Sequence, residues 1–445
     1  MKISKYNFFY KLGNEDFLAF NALKNGLAVV DKEVVNTINS LEDGSNLEDV
    51  DNELLKELEK GGFICADDFD EYGLLTIRRH RQQYDTHFLS LTIAPTLNCN
   101  LACNYCFEDP DETVMSDDVI NGVVKFVNHH IKTTVKNLEV CWYGGEPLLC
   151  LDVIEKLSSE FMSLCKKNNV RYSSYIITNG THFTPEVAKK MKEWKVKGAQ
   201  ITIDGDRETH NLRRPFRGGK GSFDKIFENV KQTVGIIPIS IRINVDAHNV
   251  DRVIGFFKEL ENEEWFHKNF GEMVTLHFGH VRKYTNSCRC KDEESLKQGN
   301  FWKKELELQR HIFKSGYKFN IYPDISSGCV ATSINSYVID AKGNLYKCFN
   351  DLGVPHNSVG TIFKPVTFTS LYITKMVESF EKDTGCQKCK YLPICMGGCV
   401  DIRVRAKKGE FSAKDCTGWK YYLEETLRMF HLYKMEQKAS QKQKF

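Results

Sequence analysis

The sequence predicts an α/β protein: an open, partial (β/α)6 barrel, preceded by a small hairpin-and-helix domain and followed by a cysteine-rich domain. Three observations carry this. Between residues 88 and 278, six short strand-like runs alternate with amphipathic helical segments. Residues 1–85 instead show closely spaced strand signals followed by helical ones. Of the 16 cysteines, ten fall into two groups, at 99–106 and 329–416, and the other six are scattered.

The barrel strands read as Phe88–Ala94, Leu138–Tyr143, Ser174–Thr178, Ala199–Ile203, Ile237–Val245 and Val274–Phe278. Between them, Ser116 caps a helix through Ile131, and residues 151–168 are helical. Thr184-Pro185-Glu186 starts a helix with a cap and an N1 proline, Ser222 opens the next, and residues 250–261 form another. Six such units in about 190 residues imply a parallel sheet with right-handed crossovers. They fall short of the roughly 250 residues of a closed eight-unit barrel, so the barrel is TIM-like but partial.

In the N-terminal region, Asp16–Asn21 and Gly26–Val30 read as strands about a turn at Lys24-Asn25-Gly26. Asp31 caps a helix with Val34, Val35, Ile38 and Leu41 at helical spacing. Leu47 to Lys60 gives one or two short helices, and Gly61–Cys65 returns as a strand. The pattern is winged-helix-like, but acidic residues outnumber basic ones there, which disfavours DNA. A packing cap on the main domain is the plainer reading. Residues 295–318 read as a bridging helix, and the last dozen residues, with Lys434, Lys438, Lys442 and Lys444, as a frayed tail. The expected domains are therefore 1–85, a barrel at 86–285, a bridge at 286–324, a cysteine-rich domain at 325–425 and a tail at 426–445.

Formal net charge is +2, so nothing global argues for nucleic acid or a membrane as partner. The first ten residues lack the apolar core of a secretory signal, and no stretch approaches the roughly 20 apolar residues of a spanning helix. The chain reads as cytoplasmic. In that reducing compartment clustered cysteines bind metal more often than they pair. Of the scattered six, Cys65, Cys141, Cys150 and Cys165 fit small buried hydrophobes, while Cys288 and Cys290 stay open.

The first cysteine group, Cys99, Cys103 and Cys106, lies on the loop after the first barrel strand, the end where active sites of this architecture collect. Thiolates at this density suit zinc or an iron–sulfur cluster. Structural zinc wants four closed ligands. Three ligands on one loop suit a [4Fe–4S] cluster with one iron left open. Such an iron can chelate the amino and carboxylate groups of a methionine. An electron passed to the sulfonium of S-adenosyl-L-methionine (SAM) then breaks the C5′–S bond and releases a 5′-deoxyadenosyl radical.

With Tyr105 ahead of the third cysteine, this loop resembles the radical SAM superfamily, and further motifs agree. Tyr143-Gly144-Gly145-Glu146-Pro147, ending the second strand, is similar to the family's GGEP motif, whose backbone and Glu hold the SAM amino group. The two glycines would permit close backbone approach to a ligand. Thr178-Asn179-Gly180 closes the third strand. Thr202-Ile203-Asp204-Gly205, followed by His210, Arg213 and Arg214, is similar to the family's SIDG segment. The resemblance implies that Thr202 and one of the arginines bind the SAM ribose and carboxylate, with Arg242 and Asn244 as weaker candidates. The implied SAM-site set is thus Tyr105, Gly144, Gly145, Glu146, Thr178, Thr202, Asp204, Arg213, Arg214 and Asn244.

Taken alone, Cys386, Cys389, Cys395 and Cys399 admit a zinc ribbon. With Cys329, Cys348 and Cys416 they resemble the SPASM domain, whose seven characteristic cysteines are all present. The resemblance implies two auxiliary [4Fe–4S] clusters, three clusters in all. Cys386, Cys389, Cys395 and Cys416 would hold the outer auxiliary cluster, and Cys329, Cys348 and Cys399 the inner one. Some relatives place a further cysteine six residues before the first, and here that position is Pro323. Either Cys288 or Cys290 supplies the missing ligand or one iron is open to a substrate thiolate. The open iron is the preferred reading.

Radical SAM enzymes with SPASM extensions mostly modify peptides. The implied function is a maturase that installs a thioether or carbon–carbon crosslink in a ribosomally made precursor peptide, served by a flavodoxin- or ferredoxin-type reductant. Residues 1–85 then resemble the PqqD-like domain that takes a precursor's leader as an added strand, and their acidic surface would suit a basic leader. The alternative is an anaerobic sulfatase maturase that forms formylglycine. Such enzymes start almost directly at the barrel and carry an Asp, the proposed base, where Phe349 follows Cys348; Asp351 is out of register. A non-catalytic iron–sulfur scaffold would need no SAM motifs. No catalytic acid or base stands out, and His277 and His280 read as satisfied core histidines rather than pocket groups.

Overall fold

The computed structural model describes every residue except 41–49, 284–294, 318–321, 324, 326–328, 365, 367, 410–415 and 443–445. It divides into two compact units, one of Met1–Gln83, Phe319–Cys329 and Glu378–Phe445, the other of Tyr84–Lys318 and Val330–Val377.

The first unit opens with strands β1 (Lys2–Ile3), β2 (Asn7–Lys11), β3 (Asp16–Asn21) and β4 (Gly26–Asp31), and β5 (Ile64–Cys65) pairs with β1. β2, β3 and β4 form an antiparallel meander in that order. Strand alternation divides its side chains between two cores. Ala19, Ala28, Val30 and Phe9 pack with Ile38 and Leu58 of the helices Lys32–Ser40 and Asn52–Gly61. Phe8, Leu18, Phe20 and Leu27 pack with Leu75 of the helix Glu71–Gln83 and with Phe380, Leu392, Leu423 and Leu427. The Asp31 carboxylate accepts the Val34 N–H at 2.8 Å, as its capping role requires. β2 escapes sequence reading because Phe8 and Phe9 each face a core, which replaces alternation by a continuous aromatic run. The helix Trp419–Lys442 runs on through residues expected to fray. Its buried Leu423 and Leu427 fix the early turns, and the polar turns propagate from them.

In the second unit, β6 (Phe88–Ile93), β7 (Asn137–Trp142), β8 (Arg171–Thr178), β9 (Val196–Thr202), β10 (Ile239–Val245) and β11 (Val274–His280) form the parallel series that the sequence predicts. β12 (Ser336–Ile339), β13 (Asn344–Tyr346) and β14 (Gly360–Thr361) extend the sheet beyond β6, with β12 parallel to β6. In β10, Ile239, Ile241, Ile243 and Val245 are buried while Ser240, Arg242 and Asn244 are half-buried, so one face is apolar and the other polar. No helix among the described residues is long and apolar enough to cross a membrane.

Near β13, the Lys375 ammonium and Asp351 carboxylate form an ion pair with side chains only 1% and 2% exposed. Asp351 also accepts an Asn357 amide N–H at 3.0 Å. Removing one partner strands a buried charge. Lys375→Met is expected to lower unfolding free energy by about 3–5 kcal/mol, and Lys375→Met/Asp351→Leu to recover most of it, read from urea denaturation.

Candidate functional site

The cysteine loop leaves the C-terminal end of β6 and is strapped on both sides by backbone hydrogen bonds. On one side the Ala102 N–H donates to the Pro215 carbonyl at 2.8 Å, Asn104 to Arg213 at 3.1 Å and Arg217 to Asn100 at 3.0 Å. On the other, Gly145 donates to the Thr96 carbonyl at 3.2 Å and Glu146 to that of Asn98 at 2.9 Å. Cys99, Cys103 and Cys106 are half-buried. Burial pushes the Cys99 thiol up to about 11, the Cys106 thiol up to about 12, and the Cys103 thiol up as well. Without a cation these sulfurs keep their protons; a bound metal would deprotonate them outright. The Asn179 amide nitrogen lies 3.7 Å from the Cys99 sulfur.

Gly144 and Gly145 let the backbone come close to this loop. A Cβ at Gly145 would lie 2.3 Å from the Asn98 carbonyl oxygen and 2.4 Å from that of Leu97. Gly144 has φ +114°, and a Cβ there would lie 2.4 Å from the Thr96 carbonyl oxygen. Glu146 is fully buried, and its carboxylate accepts the Thr178 hydroxyl at 2.6 Å, the Asn179 N–H at 2.7 Å and the Leu148 N–H at 3.0 Å. It ties the ends of β7 and β8 together instead of presenting open oxygens. Burial still holds it above the usual carboxylate range.

Tyr105 is the hub of a second network. Its hydroxyl donates to Asp204 and accepts from Arg214 Nη1 at 2.6 Å and Asn244 Nδ2 at 3.1 Å. The Arg213 guanidinium sits 4.8 Å from the Tyr105 ring centroid. Its Nε donates to Asp204 at 3.4 Å and its Nη1 to Asp246 at 2.6 Å, all three side chains being buried. Arg213 is therefore committed to protein carboxylates. Arg214 is not: its buried Nε has no hydrogen-bond partner among the described residues, and the Cys103 sulfur lies within range of its charge. A buried guanidinium donor left open beside a cysteine loop fits an anionic ligand group. Thr202 is buried at the end of β9, in register with Arg242, whose Nε donates to Asn244 at 2.8 Å.

His210 accepts the Asp204 N–H at 3.3 Å and contacts the Ser222 hydroxyl at 3.0 Å; burial holds it neutral, with its pKa down at about 3. His280 has both ring nitrogens engaged, by the Leu296 carbonyl at 2.8 Å and Arg282 Nε at 2.8 Å, and stacks on Phe301. It is a satisfied structural histidine. His277 is solvent-exposed on β11 in register with Arg242.

Sequence reading missed Asp246 and Asn249. Asp246 holds Arg213, and Asn249 donates to the carbonyls of Asp204 and Asn244, each at 2.9 Å. An acidic residue closing β10, as Asp204 closes β9, was the available signal. Glu108, two residues past Cys106, is buried with one carboxyl oxygen unpartnered among the described residues, and burial pushes it up to about 7.

Among the C-terminal cysteines, Cys395 is near enough to Cys416 and to Cys386 to feel their charge, and the Lys420 ammonium lies beside Cys416, Cys389 and Cys395. Arg403 Nη1 is 3.6 Å from the Cys386 sulfur. Cys329 and Cys399 lie in that same unit, Cys348 in the other. Cys288 and Cys290 lie outside the described residues.

Residues 93–259 match the model of the radical SAM superfamily. A cysteine-type anaerobic sulfatase-maturating enzyme of Clostridium perfringens is 28% identical over 348 residues, covering 71% of this chain and 90% of its own. The radical SAM cyclopropyl synthase TigE of Paramaledivibacter caminithermalis is 24% identical over 439 residues, 89% of each chain. Among solved structures, native anSMEcpe with bound AdoMet superposes with TM-score 0.61 at 25% identity, covering 77% of this chain and 98% of that one. Streptococcus suis SuiB, bound to its precursor peptide SuiA, shares the fold with TM-score 0.53 at 15% identity, over 93% and 98%.

Gly145→Ala is expected to displace the cysteine loop and lower iron bound after anaerobic reconstitution by about four per chain, measured by iron assay.

Proposed function

Since this chain is a radical SAM enzyme of the SPASM/sulfatase-maturase type, we propose that it is a peptide maturase acting on a ribosomally made precursor. When bound, a [4Fe–4S] cluster and SAM supply a 5′-deoxyadenosyl radical that removes a hydrogen atom from the substrate. Cys99, Cys103 and Cys106 hold that cluster. Arg214 would take the SAM carboxylate through the donor the fold leaves open, and the Gly144–Glu146 segment would hold the amino group. Thr202 and Asn244 address the ribose side. Asp204, Arg213 and Asp246 position Tyr105, which in turn orients Arg214. Cys386, Cys389, Cys395 and Cys416 hold an auxiliary cluster, one of two proposed for the C-terminal cysteines. A thioether or carbon–carbon crosslink is the bond proposed, with a flavodoxin- or ferredoxin-type protein as electron donor.

The observation that carries the reading is the N-terminal meander β2–β4 with its own cores. SuiB leaves only 7% of this chain uncovered, fewer residues than precede the barrel, so its fold includes much of that region. TigE matches nearly end to end. β4 offers an edge on which a leader would add as a strand. Formylglycine formation is the second reading, favoured by the identity to the Clostridium perfringens enzyme. Against it, Phe349 packs edge-on to Tyr143 at 5.2 Å, and Asp351 is held by Lys375. Neither offers the carboxylate base expected after Cys348.

Anaerobic reconstitution is expected to give about 12 irons per chain and 5′-deoxyadenosine from SAM under strong reductant, with about 8 irons and no cleavage after Cys99, Cys103 and Cys106 are all changed to Ala. Zinc in place of iron, or cleavage by the triple variant, would overturn the assignment. Arg214→Ala is expected to weaken SAM binding by about tenfold or more in equilibrium dialysis. Arg213→Ala, by contrast, should act first on cluster content, because it unpins Asp204 and Asp246.

A further inference from the structure

In the first unit, the inner face of the meander and the late turns of the helix Trp419–Lys442 enclose a groove of about 640 Å³. Leu18, Leu27 and Val29 form its sheet wall, and Phe430 and Met435 its helix wall. Tyr322 lies between them, its ring 4.6 Å from Phe430 and 6.0 Å from Phe20, its hydroxyl donating to the Asn25 carbonyl at 2.9 Å. The groove opens at β4, whose one strand partner among the described residues is β3. Val29 is 47% and Met435 54% exposed, so apolar surface from both walls stands in water.

The charge at this groove is one-sided. Lys434 and Lys438 line it together with His431, and no carboxylate among the described residues does. The Lys434 ammonium rests 5.3 Å from the Phe430 ring, and neither lysine has a carboxylate partner among the described residues. Four residues apart on one helix, the two ammonium groups stand on the same face, one turn from each other.

We propose that this groove takes an extended acidic and apolar peptide segment, added as a strand to β4, and that the C-terminal helix sets its charge preference. The inference rests on the peptide-maturase reading and gives the chemistry of the segment recognised. Backbone pairing to an edge strand accepts any sequence, so discrimination falls to side chains. Alternate side chains of an added strand point to one face. Here they enter the space between Leu27, Val29, Phe430 and Met435. Carboxylates along the segment meet Lys434 and Lys438, whereas a basic segment meets like charge. The basic leader expected from the composition of residues 1–85 is thereby reversed, because the charged wall comes from residues 431–438.

The test uses the full reconstituted chain and two fluorescein-labelled 12-residue peptides, one alternating valine with glutamate and one valine with lysine, read by fluorescence anisotropy. The glutamate peptide is expected to bind about five- to tenfold more tightly than the lysine peptide. Lys434→Gln/Lys438→Gln should abolish the difference, and Lys434→Glu/Lys438→Glu should invert it, with circular dichroism showing the helix intact. Equal or tighter binding of the lysine peptide, an unchanged preference in the charge-reversed variant, or binding of neither peptide would overturn the inference. Formation of 5′-deoxyadenosine, measured on the same samples, reports separately on the radical chemistry.

Discussion

The site depends on the close approach of two strand-end loops. The backbone at Gly144 and Gly145 lies against the carbonyls of Thr96, Leu97 and Asn98 with no room for a β-carbon. That contact, with the hydrogen bonds to Thr96 and Asn98, determines where Cys99 stands relative to the end of β7. Glu146, next in sequence, carries the constraint one strand further by accepting from Thr178 and Asn179. Asn179 then reaches back to the Cys99 sulfur. A short polar circuit thus joins β6, β7 and β8 around the first cysteine. Removing its conformational freedom beforehand is how a fold prepares a site that must hold reactive groups still.

The two adjacent arginines show how burial separates roles that sequence cannot. Both follow the same strand, both carry the same charge, and the family resemblance offers either one to the ligand. Arg213 lies between Asp204 and Asp246, and such a buried triad is stable only while every member is paired. Arg214 bonds to a phenol instead of a carboxylate and retains an unsatisfied Nε. One guanidinium is structural and the other has capacity left over. The partner that commits Arg213 arises at Asp246, beyond the next strand, where no local pattern could point to it.

Much was legible because barrels of this kind write their order into the chain. All six barrel strands, the Ser116 and Thr184 caps and the Pro185 start stand where periodicity and capping chemistry put them. Residues that act through distant partners were not legible. Tyr105 stood out for its place ahead of Cys106, yet its hydroxyl reaches Asp204, Arg214 and Asn244, all more than 90 positions away. A glycine pair states only that something comes close, and the neighbour of Gly144 and Gly145 in the structure, the Thr96–Asn98 backbone, could not be read from the sequence. The polar turns after Lys434 looked frayed because the apolar residues that hold the helix lie earlier, at Leu423 and Leu427.

The place of β12 bears on how the protein is made. β6, which feeds the cysteine loop, is paired on one side with β7 and on the other with β12, where Ser90 meets Ser336 about 246 positions later in the chain. During synthesis the strand therefore waits with one edge bare while most of the remaining protein emerges. Pairings of such sequence separation are slow to form and leave exposed edges open to association in the interval. Ala94, where the chain leaves β6 toward Cys99, donates its N–H to the Ile339 carbonyl at 2.9 Å, so the base of the cysteine loop gains this support only when residues near 340 have left the ribosome.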